Sequence, residues 1–411
     1  MPDPENQFRR QESDPRRRGQ ARRKPPGPWY KQKIAWFVWF ITAVQVVVFI
    51  VEIVKNSILT HSPIEIHPSF NPMIGPSPYV LINMGARYVP CMRNTHNITD
   101  ATLPLNFPCP NATSTASDCT LSDLCGFGGV PNPDPAHADI NRKPEPDQWF
   151  RFIVPMFLHA GLIHIGFNML LQVTMGREME HLIGSLRFML VYFSSGIFGF
   201  VFGGNFAAPG IASTGASGCL FGILALTLLD LLYNWKQRTS PVKELLFILA
   251  DVVISFVLGL LPGLDNFSHI GGFLMGLALG VCLLHSPASL RERSSRDEHP
   301  NTPYSAVPNP ADREEYDTTA NVKSFARQPL GFFKGRKPLW WVWWLVRAGA
   351  LVAVTVVFII LLKNFYVNRT QCGWCKYLSC LPIKNWCDVG NIQVQQTKAP
   401  NRARDIFGIP P

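Results

Sequence analysis

The chain has 411 residues, of which 47% are apolar and only 16% charged, with a formal net charge of +10. The apolar residues are gathered into long blocks, which excludes an ordinary soluble protein of two or three domains. The charge is just as uneven: residues 1–33 carry ten Lys/Arg against four Asp/Glu, including Arg16-Arg17-Arg18 and Arg22-Arg23-Lys24.

A basic arm of this kind can bind nucleic acid, but this one directly precedes an apolar run. The excess of basic residues on the cytosolic flank of a membrane span is the more economical explanation. It puts the N-terminus in the cytosol and implies no nucleic-acid partner. The run lacks a small-residue cleavage site and is expected to act as an uncleaved anchor.

About 20 apolar residues cross the hydrocarbon core. The seven candidates, in chain order, are Ile34–Val54, Phe152–Thr174, Leu186–Phe206, Ser217–Tyr233, Leu245–Leu261, Ile270–Leu284 and Leu339–Leu362. The expected organisation is a basic cytosolic tail over 1–33, a first span over 34–54 and an extracytosolic loop over 55–148. Spans two to six fill 149–285. A cytosolic linker over 286–338, rich in Pro, Ser and charge, is expected to be disordered. The seventh span covers 339–362 and opens with Trp340, Trp341, Trp343 and Trp344, which suit an interfacial belt. A Cys-rich extracytosolic tail covers 363–411.

Independent signals agree with this layout. Residues 56–148 hold eight acidic and four basic residues, whereas Arg177, Arg187, Lys236, Arg238 and Lys243 fall on the cytosolic side. The glycosylation sequons at Asn97, Asn111 and Asn368 fall outside, and a fourth, at Asn266, sits too close to the membrane to carry a glycan. Cys91, Cys109, Cys119 and Cys125 form one outer set and Cys372, Cys375, Cys380 and Cys387 another, read as disulfides with the pairing open. A zinc site at Cys372-Gly-Trp-Cys375 is the rival, disfavoured because those thiols face an oxidising compartment. Cys219 and Cys282 lie within spans.

Three stretches carry chemistry. Gly215-Ala216-Ser217-Gly218 opens one span, and Ser268-His269-Ile270-Gly271-Gly272 opens another on the same side of the membrane. A serine hydroxyl becomes a useful nucleophile once a base takes its proton and donors stabilise the oxyanion. Ser217 and His269 supply the first two parts. Gly215 and Gly218 allow a tight turn and room for a carbonyl. In the third stretch, His159-Ala-Gly-Leu-Ile-His164-Ile-Gly-Phe-Asn168, His164 and Asn168 share a helix face and offer two donors, with the amide at the head of the Ser217 helix as a third. Phe221, one turn beyond Ser217, is placed to stack on the imidazole. Gly272, Gly276 and Gly280 give the His269 helix a bare face for close approach of a neighbour, expected to be the Ser217 helix. No acidic third member is evident: Asp251 is expected on the cytosolic half of its span, and Asp265 is only a weak candidate.

Each feature has a plain structural reading as a packing glycine, a capping residue or a hydrogen bond within the bundle, and His164 and Asn168 with His159 even as a metal site. Their order on one side of separate spans favours a joint role. The soluble-lipase elbow Gly-x-Ser-x-Gly is excluded because Cys219 occupies the last glycine position.

This order resembles the rhomboid intramembrane serine proteases: HxxxxHxxxN in the second span, GxSG opening the fourth, and His with spaced glycines opening the sixth. Gln148-Trp149-Phe150-Arg151 resembles the family's outer-loop Trp-Arg element with one residue inserted, and Gly176-Arg177-Glu178-Met179-Glu180 the stretch after the second span. The resemblance covers 149–285 and implies an all-α polytopic membrane protein, a six-helix catalytic core plus a seventh helix, as in eukaryotic secretory-pathway members. It implies Ser217 as nucleophile, His269 as base and then acid, and an oxyanion hole from His164, Asn168 and the Ser217 amide. His159, Gly215, Gly218 and Phe221 would support the site. Ser268 in place of alanine and Phe221 in place of a tyrosine found in some bacterial members are departures.

The expected activity is hydrolysis of peptide bonds in or near the membrane segment of single-span proteins, with the lipid bilayer as environment and no metal or cofactor. The oligomeric state stays open. The expected location is a secretory-pathway membrane: Golgi, endosomal or plasma membrane. Two rivals are a non-catalytic relative that binds membrane helices for trafficking or degradation, and a transporter relaying protons through His164 and His269. The first is disfavoured because inactive relatives lack the serine, the histidine or both. The second lacks inverted repeats.

Overall fold

The computed structural model describes residues 34–114, 118–260, 265–284, 286–287, 338–370, 372–375, 378, 392 and 394–396. The basic tail, almost all of the linker, and Cys380 and Cys387 lie outside them. The helices are α1 (Trp36–Thr60), α2 (Pro78–Asn83), α3 (Leu121–Cys125), α4 (Leu162–Leu171), α5 (Arg177–Ile183), α6 (Ser185–Phe206), α7 (Ser217–Tyr233), α8 (Pro241–Leu258), α9 (Asn266–Leu283) and α10 (Pro338–Lys363). The chain divides into two compact units. The described part of the first is Ile34 and the opening of α10 up to Trp343; the second is 35–288 with 344–411 and holds every helix from α1 to α9.

Four described helices are long and apolar enough to span a membrane, those beginning at Trp36, Ser185, Asn266 and Pro338, and α7 is a shorter apolar helix. The protein is thus an all-α polytopic membrane protein. The second expected span is the one that differs. Residues 149–156 form 3-10 turns, regular helix starts at Leu162, and a π-helical turn over Gln172–Gly176 leads into α5. An apolar run reports burial but not backbone conformation, and Pro155 and Gly161 interrupt the helix that length alone suggested.

The centre of the bundle is α6, α7 and α9. A Cβ on Gly272 would overlap the carbonyl oxygen of Gly218, and one on Gly276 would lie 2.5 Å from Gly222 Cα. The α9 glycines therefore press against the backbone of the Ser217 helix, as their spacing suggested. Because backbone cannot rotate away, Gly276→Ala is expected to cost about 1–3 kcal/mol by overpacking. Gly166→Ala, with nothing within 4 Å, is the matched control. Thermal unfolding in detergent compares them, and an equal, small effect of both would contradict the packing argument.

The described residues of the outer loop form a cap. Cys91–Cys125 and Cys109–Cys119 are disulfides, and in the tail Cys372 bonds Cys375. Arg151 is fully buried and donates to Gln148 Oε1 and to the carbonyls of Ile82, Ala86 and Cys125, so the Trp-Arg element gathers the cap around one guanidinium. The cap also meets the tail. Leu105–Asn106 pairs antiparallel with Gln395–Gln396, and Arg369 pairs with Glu145 at 2.9 Å. Loop and tail therefore lie at the same end of the molecule. Asn97, Asn111 and Asn368 are exposed, whereas Asn266 is buried.

One segment of the cap, residues 62–76, closes the head of α4. Leu162 and Ile163 donate their backbone N–H groups to the carbonyls of Ile74 and Met73 at 3.0 and 3.2 Å, satisfying amides that the helix itself leaves free. Glu65 is buried in this segment, and desolvation raises its carboxyl to about 7 against a weaker opposing bond from Ser77. The folded state therefore holds a proton that the unfolded chain releases above about 4.5. Stability of the segment is expected to fall by on the order of 3 kcal/mol as pH rises through 7. Hydrogen exchange at Leu162 and Ile163, corrected for intrinsic rates, should accelerate between pH 5 and 8 in the wild type and stay flat in Glu65→Gln.

Candidate active site

The site lies where α4, α7 and α9 begin. Gly215 has φ +122°, a value that favours glycine, and a Cβ there would sit 2.7 Å from His164 Nε2. Both requirements exclude a side chain. Beyond this turn α7 starts at Ser217 with no side-chain cap, which leaves its first amides available. α9 is capped instead, Asp265 Oδ1 accepting from Phe267 N at 2.9 Å, and His269 stands in its first turn.

Ser217 Oγ and His269 Nε2 are 2.7 Å apart. The imidazole stacks on Phe221, centroids 4.5 Å apart and planes 9° from parallel, and Phe256 meets it edge-on at 6.4 Å. With Nε2 accepting from the serine, the proton belongs on Nδ1, which is buried and has no hydrogen-bond partner. Asp265 does not serve as a third member. Its Oδ2 is held by Arg87 at 2.9 Å and by Ser268 Oγ at 2.6 Å. Ser268, the departure from alanine, thus ties down the helix cap.

Donors face the serine from α4. His164 Nδ1 accepts from Ala160 N at 3.2 Å, which assigns the ring proton to Nε2, the atom beside Gly215. Asn168 Nδ2 donates to the His164 carbonyl at 2.9 Å, keeping one amide proton free. His159 is fully buried behind them, its ring 5.3 Å from that of His164. A cleft with room for several water molecules is lined by Ser217, His269, His164, Asn168 and Phe221. At Gly218, next to the serine, a Cβ would lie 3.2 Å from the Ser268 carbonyl oxygen.

Residues 146–286 match the Rhomboid domain family. A Rhomboid-type serine protease 2 from Emericella nidulans is 56% identical over 377 residues, covering 90% of this chain and 75% of that protein. The chain belongs to the rhomboid family. RHOMBOID-like protein 6, mitochondrial, of Arabidopsis thaliana is 32% identical over 68% of this chain and 86% of its own length. Inactive rhomboid protein 1 of Homo sapiens is 29% identical over 67% of this chain and 26% of its own.

The structure of this rhomboid thus brings all eight residues singled out from the sequence into one neighbourhood. Sequence reasoning missed others. Glu52 on α1 is buried, and its two carboxylate oxygens accept from His159 N at 3.2 Å each; a lone acid inside the first apolar run was the available signal. Met73 lines the cleft, and Arg87 is fully buried; nothing in their local sequence marks either. Burial lowers the Arg87 guanidinium pKa while Asp265 opposes the shift.

Proposed function

We propose that this rhomboid is an intramembrane serine endopeptidase. The observation that carries the reading is the 2.7 Å contact of Ser217 Oγ with His269 Nε2 at the head of a cleft supplied with donors. His269 Nε2 takes the Ser217 proton as Oγ adds to the scissile carbonyl carbon. His164 Nε2–H, Asn168 and the Ser217 amide hold the resulting oxyanion. Collapse breaks the C–N bond, and the imidazolium protonates the departing amine. Water then adds to the acyl-enzyme with His269 as base, and the ester C–O bond breaks to restore the serine hydroxyl. Phe221 and the first turn of α9 keep the ring in place throughout.

The substrate is a single-span membrane protein whose helix unwinds near the outer face, because an intact helix hides its carbonyls from Ser217. The N-terminus is cytosolic, the cap and tail are extracytosolic, and the chain resides in a secretory-pathway membrane. The core is 149–285, flanked by the first and seventh spans. A helix-binding, non-catalytic role is the second reading, since relatives named inactive also match; the Ser217–His269 contact argues against it.

The experiment incubates protein purified in detergent with a fluorophosphonate probe and, separately, with a labelled single-span reporter carrying a glycine-containing outer segment. Labelling at Ser217 together with loss of reporter cleavage after labelling is expected. No labelling and no cleavage across several reporters would move the assignment to helix binding.

A further inference from the structure

The cleft does not end at the dyad. Asp251 and Ser255, one turn apart on α8, line it together with Leu171, Met175 and Leu224. Among the described residues the Asp251 carboxylate has no hydrogen bond or ion pair, and Ser255 Oγ has none either. From Leu246 onward the other exposed large side chains of α8 are apolar: Leu246, Phe247, Leu249, Val253, Ile254 and Val257. An unpaired acid in such a helix is costly, and the hydrolytic chemistry gives it nothing to do.

Its depth can be read from the packing. Phe256 touches both Phe221 and His269, which places that end of α8 beside the dyad. Asp251 lies five residues further along, about 7 Å at the helical rise. Phe221 is itself one turn below Ser217. A substrate chain extended from the scissile carbonyl at about 3.3 Å per residue reaches the level of Asp251 within about two to five residues.

We propose that Asp251, assisted by Ser255, is a specificity-determining site for a basic side chain, Lys or Arg, in the membrane-buried part of the substrate just beyond the scissile bond. This rests on the proteolytic reading of the dyad. The charge needs a partner in the apolar cleft, and a basic residue in a membrane segment needs one equally. Docking satisfies both, with Ser255 Oγ accepting a second N–H hydrogen bond from the cation. A substrate of this type is neutralised only while it sits in the cleft, so the pair holds the scissile bond at the depth of Ser217.

The test walks Lys, and in parallel Leu, through positions two to six beyond the cleavage site of a single-span reporter. The readout is the ratio of kcat/KM for Lys over Leu within each variant, which does not depend on the folded fraction. At one or two positions the wild type is expected to favour Lys at least tenfold, and Val253→Ala to keep that ratio. Asp251→Leu should lower it to about one, and Asp251→Lys should reverse it in favour of an Asp reporter. A wild-type ratio near one at every position overturns the proposal, as does an unchanged ratio in Asp251→Leu. If the wild type cleaves neither series and fluorophosphonate does not label Ser217, the proteolytic reading falls and takes this proposal with it. Cleavage without preference removes this proposal alone.

Discussion

Ser217→Ala and His269→Ala are each expected to lower hydrolysis of a single-span reporter by on the order of 10⁴-fold or more, and the double variant by no more than the worse single one. The two groups act as a unit: once the base is gone the hydroxyl keeps its proton, and once the hydroxyl is gone the base has nothing to activate. Ser217 Oγ has His269 as its side-chain partner and ties no other element of the fold. The serine variant should therefore unfold in detergent within about 1 kcal/mol of the wild type. His269→Ala empties the space on Phe221 and should cost more stability without further loss of rate. Initial rates over a long time course, with melting curves on the same preparations, separate the two quantities. Additive losses in the double variant would mean that the pair does not work as a dyad.

Arg87→Leu is the second large effect, and it acts at a distance. Arg87 and Asp265 are fully buried and 2.9 Å apart, joining the cap to the residue that caps α9. Removing the guanidinium strands a buried carboxylate, which costs about 3–5 kcal/mol. Because His269 stands in the first turn of that helix, fraying there displaces Nε2 from Ser217, and a shift near 1 Å costs on the order of 10²-fold in rate. Asp265→Asn keeps an oxygen to cap Phe267 N and removes the stranded charge. The double variant Arg87→Leu, Asp265→Asn should therefore recover part of both stability and rate. Rates and melting temperatures of the four proteins form the cycle; a double variant worse than Arg87→Leu alone would show that the ion pair is not what couples cap and helix.

Most of the core is legible in the sequence for a physical reason. A membrane permits few backbone solutions, so span-length apolar blocks announce helices, and polar residues at their ends stand out against them. Ser217, His269, His164 and Asn168 are visible that way. The glycines at 272 and 276 are visible because their four-residue spacing survives as a bare helix face, packed on Gly218 and Gly222. The second span departs from expectation where Pro155 and Gly161 bend an apolar run that hydropathy treats as uniform.

Residue order alone therefore indicates the all-α membrane class, the bare face of α9 and the members of the candidate site. Local spacing and transfer free energy are enough for those. The 2.7 Å approach of serine to imidazole, the engagement of Asp265 with Arg87 and the seating of residues 62–76 on the head of α4 emerge only in the folded chain. So does the pairing of the cysteines, Cys91 with Cys125 and Cys109 with Cys119. Arg87 and Asp265 stand 178 positions apart, and no local pattern encodes a partner at that range. Such pairs are fixed by the packing of the whole bundle, which the sequence specifies only collectively.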